Sequence, residues 1–169
     1  INNLVKSINN NYFSDINAVS VNYATQSEKL GMLFFGARAL NYGKFTQTDE
    51  TGRELGEFTA NEQVLTTGIS KQLNDKLTIG VNLNFINSKL EQYSSIGLSS
   101  NFALSYFNDE RKLCISVLAK DFGRQLKSYT NEKENLPFQL QMGVSKQLAH
   151  LPFRFSIMAH HINKFDISN

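Results

Sequence analysis

Between Leu77 and Phe85 the chain reads L-T-I-G-V-N-L-N-F, so that Leu77, Ile79, Val81, Leu83 and Phe85 alternate with Thr78, Gly80, Asn82 and Asn84. A period of two is what a β-strand with one apolar and one polar face requires, whereas on a helix these residues would scatter around the whole circumference. The same device recurs. Leu113, Ile115, Val117 and Ala119 alternate with Cys114, Ser116, Leu118 and Lys120, with Leu118 as the misfit. Phe138, Leu140, Met142 and Val144 alternate with Gln139, Gln141, Gly143 and Ser145, and Phe153, Phe155, Ile157 and Ala159 with Arg154, Ser156, Met158 and His160. Repetition of this kind predicts one large antiparallel sheet, as a soluble sandwich, a soluble barrel or a membrane barrel.

In chain order, the Asn-rich stretch from Ile1 to Ile16 shows no clear period and is left unassigned. Val19, Val21 and Tyr23 open the first strand, and residues 25–29 form a polar turn. Gly31 to Tyr42 is a long strand with two rather apolar faces. Arg38 points to its own face as the inner one, because a mid-strand arginine facing lipid costs about 2–4 kcal/mol. Thr46 to Ala60 is a polar excursion in which Gly52 and Gly56 predict a projecting hairpin. Val64 to Leu73 is a strand with Leu65, Thr67 and Ile69 outward. Asn74-Asp75-Lys76 is the tight turn that leads into Leu77 and onward. Glu91 to Gly97 and Phe122 to Leu136 read as loops, on either side of strands at 98–106 and 113–121. Pro137 starts the strand that runs through Lys146, a position proline tolerates.

The pattern gives about eight strands. Their connections alternate, short at 25–29, 74–76, 108–112 and 147–152, longer near 46–60, 91–97 and 123–136. An up-and-down sheet puts all the short turns at one end, the asymmetry of outer-membrane barrels, whereas Greek-key sandwiches do not predict it. Tyr23, Tyr42, Phe45, Tyr93, Phe107, Phe122, Tyr129, Phe138 and Phe153 fall near expected strand ends, where interfacial aromatic girdles sit.

Composition narrows the function classes. The chain has 169 residues, enough for one domain, with 41% hydrophobic and 19% charged residues. A net charge of +2 argues for neither nucleic acid nor attraction to an anionic surface. No run of ~18 apolar residues exists for a transmembrane helix, but a transmembrane strand needs only ~9–11 alternating ones. Cys114 is the single cysteine and reads as a plain side chain of its strand. His160-His161 is the one tempting metal or catalytic pair, yet neighbouring strand residues point to opposite faces. No nucleophile motif, phosphate loop or carboxylate dyad appears, so no catalytic, cofactor-binding or metal residue is assigned and the chain is expected not to be an enzyme. The acidic hairpin lacks the ligand spacing and fixed glycine of a calcium loop.

Two blocks go beyond pattern. One is Asn41-Tyr42-Gly43-Lys44-Phe45-Thr46-Gln47-Thr48-Asp49-Glu50-Thr51-Gly52, continuing through Gly56-Glu57-Phe58 to Glu62. The other runs from Leu136-Pro137-Phe138 through Gly143-Val144-Ser145-Lys146, Leu148-Ala149-His150 and Pro152-Phe153-Arg154-Phe155-Ser156 to His160-His161. With looser likeness in Tyr12-Phe13-Ser14-Asp15-Ile16-Asn17 and Leu90-Glu91-Gln92-Tyr93, they resemble the PorQ-type outer-membrane barrels of the type IX secretion system, from Tyr12 to Asp166.

The resemblance implies a FadL-type barrel of the bacterial outer membrane, of which residues 1–169 would be an internal portion. It implies a non-enzymatic anchor of a cell-surface attachment complex. The partners would be a sortase-like protease, a related shuttle barrel and a lipopolysaccharide-handling protein, beside outer-membrane lipid, with no nucleic acid and no cofactor. A channel for hydrophobic small molecules is the alternative that this barrel type suggests. Within that frame Ile79, Val81, Leu83 and Phe85 are the expected lipid-facing residues. Asp49, Glu50, Arg53, Glu54, Leu55, Glu57 and Phe58 form the expected partner-binding loop, exposed at the cell surface.

Overall fold

Period-two alternation with short polar turns folds the chain as one antiparallel meander. The computed structural model describes residues 3–11, 16–129, 136–148, 151 and 153–164. They form β1 (Asn3–Asn11), β2 (Asn17–Ser27), β3 (Gly31–Thr48), β4 (Glu54–Asn74), β5 (Leu77–Leu90), β6 (Tyr93–Asn108), β7 (Leu113–Lys127), β8 (Gln139–Gln147) and β9 (Arg154–Ala159), followed by a 3-10 turn at Ile162–Lys164. Each strand pairs with its sequence neighbours in a nine-stranded sheet of order β1 to β9. The fold is all-β, up-and-down and open, because β1 and β9 do not pair with each other: a partial barrel.

Side chains from β1 through β7, among them Ile8, Asn22, Arg38, Glu62, Asn84, Asn101 and Lys120, line a single cleft of about 620 Å³. That face is therefore concave. It is the even-numbered face of β2 to β5, and it carries Arg38 as expected. On it, the Thr66 hydroxyl donates to Asn84 Oδ1 at 2.9 Å and Asn84 Nδ2 donates to Ser99 Oγ at 3.1 Å. Ser105–Ser116 and Ser145–Ser156 hydroxyl pairs, each at 3.1 Å, extend the polar ladder to later strands. Cys114 lies on the same face, its Sγ 3.8 Å from Ser116 Oγ. Apolar side chains also occur here: Met32, Phe34, Ala103 and Leu118 gather in a smaller pocket, which accounts for the Leu118 misfit.

The opposite face is convex and apolar. From β2 to β9 it carries Val19, Val21 and Tyr23, then Phe35, Leu65, Ile69, Leu83, Phe102, Val117, Met142 and Ile157, aligned across the ladder. Tyr23 and Phe35 stack across their pair at 6.5 Å. The face of β1 on this side, with Val5, Ser7 and Asn9, does not continue the stripe. Ala18 is the one apolar side chain buried among the described residues, whereas Leu83 is 49% and Ile157 77% exposed. A single layer with its polar side on the hollow is the inverse of a water-borne barrel, whose greasy side chains point inward.

Two sequence expectations are corrected, and the stretch without a clear period at the start of the chain gains an element. Residues 3–11, unassigned from sequence, are strand, paired with β2 from Asn3↔Thr25 to Asn11↔Asn17. Their Asn content hides a strand whose outer face is itself polar. Glu91 to Gly97 is not a loop: Leu90 pairs with Tyr93, leaving Glu91 and Gln92 as a tight turn, with Glu91 at φ 57. Here small Ser and Gly residues pack without an apolar period, and Ser95 and Ser99 are buried.

Phe122 does not begin a loop either, since β7 runs on to Lys127. A bulge between Ser100↔Phe122 and Phe102↔Ala119 inserts one residue, with Asp121 at φ 60 and its amide donating to Asn101 Oδ1 at 2.8 Å. The outward residues shift there from odd to even numbers, so the period breaks while the strand continues. Part of the expected loop, residues 130–135, lies outside the described residues.

At the far end of β8, Asn163 takes the place of a paired strand. Its Nδ2 donates to the Phe138 carbonyl at 2.8 Å and its Oδ1 accepts from the Leu140 amide at 2.9 Å.

Gly123 shows how closely β6 and β7 approach beyond the bulge: a Cβ there would stand 2.1 Å from the Leu98 carbonyl oxygen, a backbone atom that cannot swing away. Gly123→Ala is expected to destabilise the sheet by about 1–3 kcal/mol through overpacking. Gly80→Ala, whose Cβ would meet nothing nearer than 3.7 Å, should cost less. Urea titration followed by far-ultraviolet circular dichroism measures the difference, and equal midpoints for the two variants would contradict it.

Candidate functional site

The site begins where the sheet loses its neighbours. β2 pairs with β3 only as far as Asn17↔Asn41, and β4 pairs with β5 only as far as Ala60↔Leu90. Past those points the Glu91 amide still donates to the Thr59 carbonyl at 3.0 Å, and β3 and β4 then continue as a pair of their own among the described residues, from Lys44↔Thr59 through Phe45↔Phe58, Thr46↔Glu57 and Gln47↔Gly56 to Thr48↔Glu54. The expected polar excursion is thus a two-stranded ribbon standing beyond the rim, with strand arms rather than loop flanking its turn. It carries all seven residues of the expected partner-binding loop.

A second bulge sets the base of the ribbon. Between Asn41↔Asn61 and Lys44↔Thr59, β3 has one residue more than β4, and Gly43 takes φ 78. The Gly43 amide donates to Asn41 Oδ1 at 2.8 Å. This shift turns Lys44 toward the convex side and Phe45 toward the concave side. On the concave side Phe45 and Phe58 stack with centroids 5.3 Å apart. On the convex side Lys44 Nζ donates to Glu57 Oε2 at 2.7 Å.

Asp49 builds the tip. Its Oδ1 accepts from the Thr51 amide at 2.9 Å, the Thr51 hydroxyl at 2.7 Å and the Arg53 amide at 2.9 Å. The Gly52 amide returns to the Asp49 carbonyl at 3.0 Å with Gly52 at φ 84, the conformation glycine supplies without strain. Asp at the first position and Gly at the fourth are the residues such a turn prefers. The Thr51 hydroxyl first, and the Arg53 amide next, hold the Asp49 carboxyl below its ordinary value. The Glu57 hydrogen bond, then its charge, raises the Lys44 ammonium above the usual lysine value.

These contacts divide the acidic residues by role. Asp49 is committed to the turn and Glu57 to Lys44, which leaves Glu50 and Glu54 as the acids outside ion pairs on the ribbon. Leu55 is 59% exposed, an apolar side chain held out by the strand irregularity between Gln47↔Gly56 and Thr48↔Glu54. Sequence reasoning found Phe58 but missed Phe45 and Lys44. Centring a hairpin on the Asp49–Gly52 turn would have set both opposite their partners.

The four expected lipid-facing residues also come together. Ile79, Val81, Leu83 and Phe85 share the convex face of β5, with Asn82 and Asn84 on the concave one. Val81 is only half-buried by its neighbours, while the other three are exposed. Asn82 Oδ1 is buried beside Gly68 without a hydrogen-bond partner among the described residues. His160 and His161 follow β9 as exposed residues, and no group of three or more His, Cys, Asp or Glu among the described residues is placed to hold a metal ion.

No protein-family model, curated protein or solved structure matches this chain.

The turn should respond to acid in a defined sense. A carboxyl with a lowered pKa contributes stability above its ordinary value near 3.8, and that contribution is lost as pH falls through the lowered value. The ribbon tip is therefore expected to hold through mildly acidic solution and to loosen only below the ordinary carboxylate range. The Lys44–Glu57 contact, with its raised lysine pKa, should loosen only as pH climbs through that raised value. Hydrogen exchange at the Thr51 and Arg53 amides checks the first, and Asp49→Ala should abolish their protection at neutral pH while leaving the β5 amides unchanged.

Proposed function

We propose that this chain is part of a non-enzymatic outer-membrane β-barrel that holds protein partners at the bacterial cell surface. The observation that carries the reading is the reversal of faces. The convex side from β2 to β9 presents a continuous apolar belt with no Asp, Glu, Lys or Arg between Ala39 and Leu33 on β3, Leu65 and Ile69 on β4, or Phe85 and Leu77 on β5. Water penalises such a belt at roughly 25 cal/mol per Å², and isolated apolar patches on water-borne proteins are far smaller. Hydrocarbon does not penalise it. The hollow side carries Arg38, Glu62, Lys120 and Asp121, residues suited to a hydrated lumen.

The finer assignment is supported by the likeness of the two sequence blocks to PorQ-type barrels of the type IX secretion system. On this reading the barrel anchors the attachment complex in which a sortase-like protease, a shuttle barrel and a lipopolysaccharide-handling protein process cargo. The ribbon at 42–59 supplies the docking element, because it projects past its neighbours and is kept rigid by its own stack and turn. Its free acids Glu50 and Glu54 repel anionic lipopolysaccharide, so a protein partner is the fitting occupant. Leu55, Phe45 and Phe58 are the apolar anchors for that partner.

A FadL-like channel for hydrophobic molecules is the second reading, and one observation favours it: the concave pocket of about 320 Å³ containing Met32, Phe34, Ala103 and Leu118. Asn82, Asn101 and Lys120 border the same pocket, which breaks any apolar path. The anchor reading is the stronger for that reason.

Two variants separate lipid from water on the convex face. Val81→Arg is expected to cost about 2–4 kcal/mol and to impair assembly in the outer membrane, with Asn82→Arg milder. Heat-modifiable migration on gels reads the folded fraction, and equal damage would count against a lipid-facing surface. Replacing residues 47–57 by a short Gly-Ser turn should leave the barrel in the membrane but lose a surface partner from pull-downs. Undiminished partner recovery would falsify the docking assignment. Loss of fatty-acid uptake with partners still bound would favour the channel.

A further inference from the structure

The bulge in β7 creates a second feature on the convex face. Beyond Asp121, the residues Phe122, Arg124 and Leu126 face outward, and the chain after β7 returns along it, with the Leu136 amide donating to the Gly123 carbonyl at 3.0 Å. Phe138 meets Phe122 edge-on at 6.3 Å. Between these walls lies a groove of about 720 Å³ floored by Leu83 and Leu98 and lined by Phe122, Leu126, Leu136 and Phe138. The volume is in the range of small-molecule sites. The groove runs directly into the apolar belt at Leu83.

Its lining holds two charged residues, Asp121 at the bulge, already paired with Lys120 at 3.5 Å, and Arg124 toward the ribbon. Arg124 sits opposite Leu98 at the ribbon end of the groove. Lys127 follows in the next row, opposite Ile96, and Lys89 in the row after that, opposite Ser94, whose Oγ accepts from Lys127 Nζ at 2.7 Å. Of these three cations from β5 and β7, Arg124 lines the slot itself and the two lysines lie beyond its ribbon end. None of them takes part in an ion pair among the described residues, whose pairs are Lys44–Glu57, Lys112–Asp109 and Lys120–Asp121.

We infer that this groove binds one phosphate-bearing acylated glycolipid of the outer leaflet, with an acyl chain along Leu83, Leu98 and Phe122 and its phosphates at Arg124 and at the Lys89–Lys127 pair. The inference rests on the outer-membrane reading above, and the choice of occupant follows from three features. An apolar slot open to the belt, with Arg124 on its wall and two lysines beyond its ribbon end, fits an anionic amphiphile, not a peptide or a free ion. The cations lie at the end from which the ribbon projects, the outward end of the barrel on that reading, where the leaflet is built of such glycolipids. They also follow one another over three successive rows, Arg124 first and the two lysines that flank Ser94 after it, which suits a headgroup with two phosphates. A guanidinium offers a phosphate two parallel hydrogen bonds, and the lysines add point charge.

The test uses the full-length protein reconstituted in phosphatidylcholine nanodiscs doped with diphosphorylated lipid A, its dephosphorylated form or phosphatidylglycerol. Native mass spectrometry after transfer to detergent counts the lipids retained. The wild type should retain lipid A at least about tenfold more than either competitor, as expected for charge-assisted contacts. Arg124→Gln alone should lower that preference, and the triple change with Lys89→Gln and Lys127→Gln should remove it. Lys71→Gln with Lys146→Gln, at the opposite rim, should leave it intact. Equal retention of phosphatidylglycerol overturns the glycolipid assignment, and so does an unchanged preference in the Arg124→Gln protein. Insertion without any lipid preference overturns this inference alone, whereas failure of the wild type to enter the bilayer overturns the barrel reading with it.

Discussion

The antiparallel backbone ladder from β1 to β9 carries this structure, because no second layer packs on either face of the sheet among the described residues. In a sandwich, register can be enforced by a shared core. Here it is enforced by pairing itself and by the side chains that meet across each pair, each contributing a few tenths to about 1 kcal/mol. The Thr66–Asn84–Ser99 chain of hydrogen bonds works on one side of the ladder and the Tyr23–Phe35 stack on the other. A one-residue slip anywhere would carry polar groups to the apolar belt and leucines to the hollow. The two faces are so different that this mismatch is what pins the register.

Against that regularity, both elements for which a role is proposed start at an inserted residue. At Gly43 the insertion exchanges the faces of β3 at the base of the ribbon and turns Phe45 onto Phe58. At Asp121 it tips β7 so that Phe122 and Arg124 point outward and a slot opens beside them. A uniform ladder would have produced a smooth wall with neither feature. The insertions also show how a strand can carry two different surfaces along its length, one for its lower half and one for its upper.

The same insertions explain what could be read from the amino-acid order and what could not. Strands β5 and β8 were legible because their alternation is unbroken, and Arg38 was enough to assign the inner face of β3. The projecting hairpin was legible from Gly52 and Gly56. The continuation of β7 past Asp121 was not, since odd and even positions exchange roles there and a reader following period two sees the pattern stop. β1 and the start of β6 were hidden for a different reason. Asn, Ser and Gly can line a sheet through hydrogen bonds and close packing without leaving an apolar signature, as the buried Ser95 and Ser99 do. Within the ribbon, Asp49 looked like one acid among several. Only the turn geometry distinguishes its structural carboxylate from the free ones at Glu50 and Glu54.

The ribbon's construction has a mechanical meaning. Its arms are the upper parts of β3 and β4, the 18- and 21-residue strands, which continue without interruption down into the sheet. A pull on the tip along the strand direction would therefore load the β2–β3 and β4–β5 ladders in shear, with many hydrogen bonds strained together. A flexible loop would first have to be drawn taut before passing on the same tension, and a pull across the strands would open bonds one at a time. Any attachment made through the tip would convert tension into a load shared by the wall, which is the geometry of a tether.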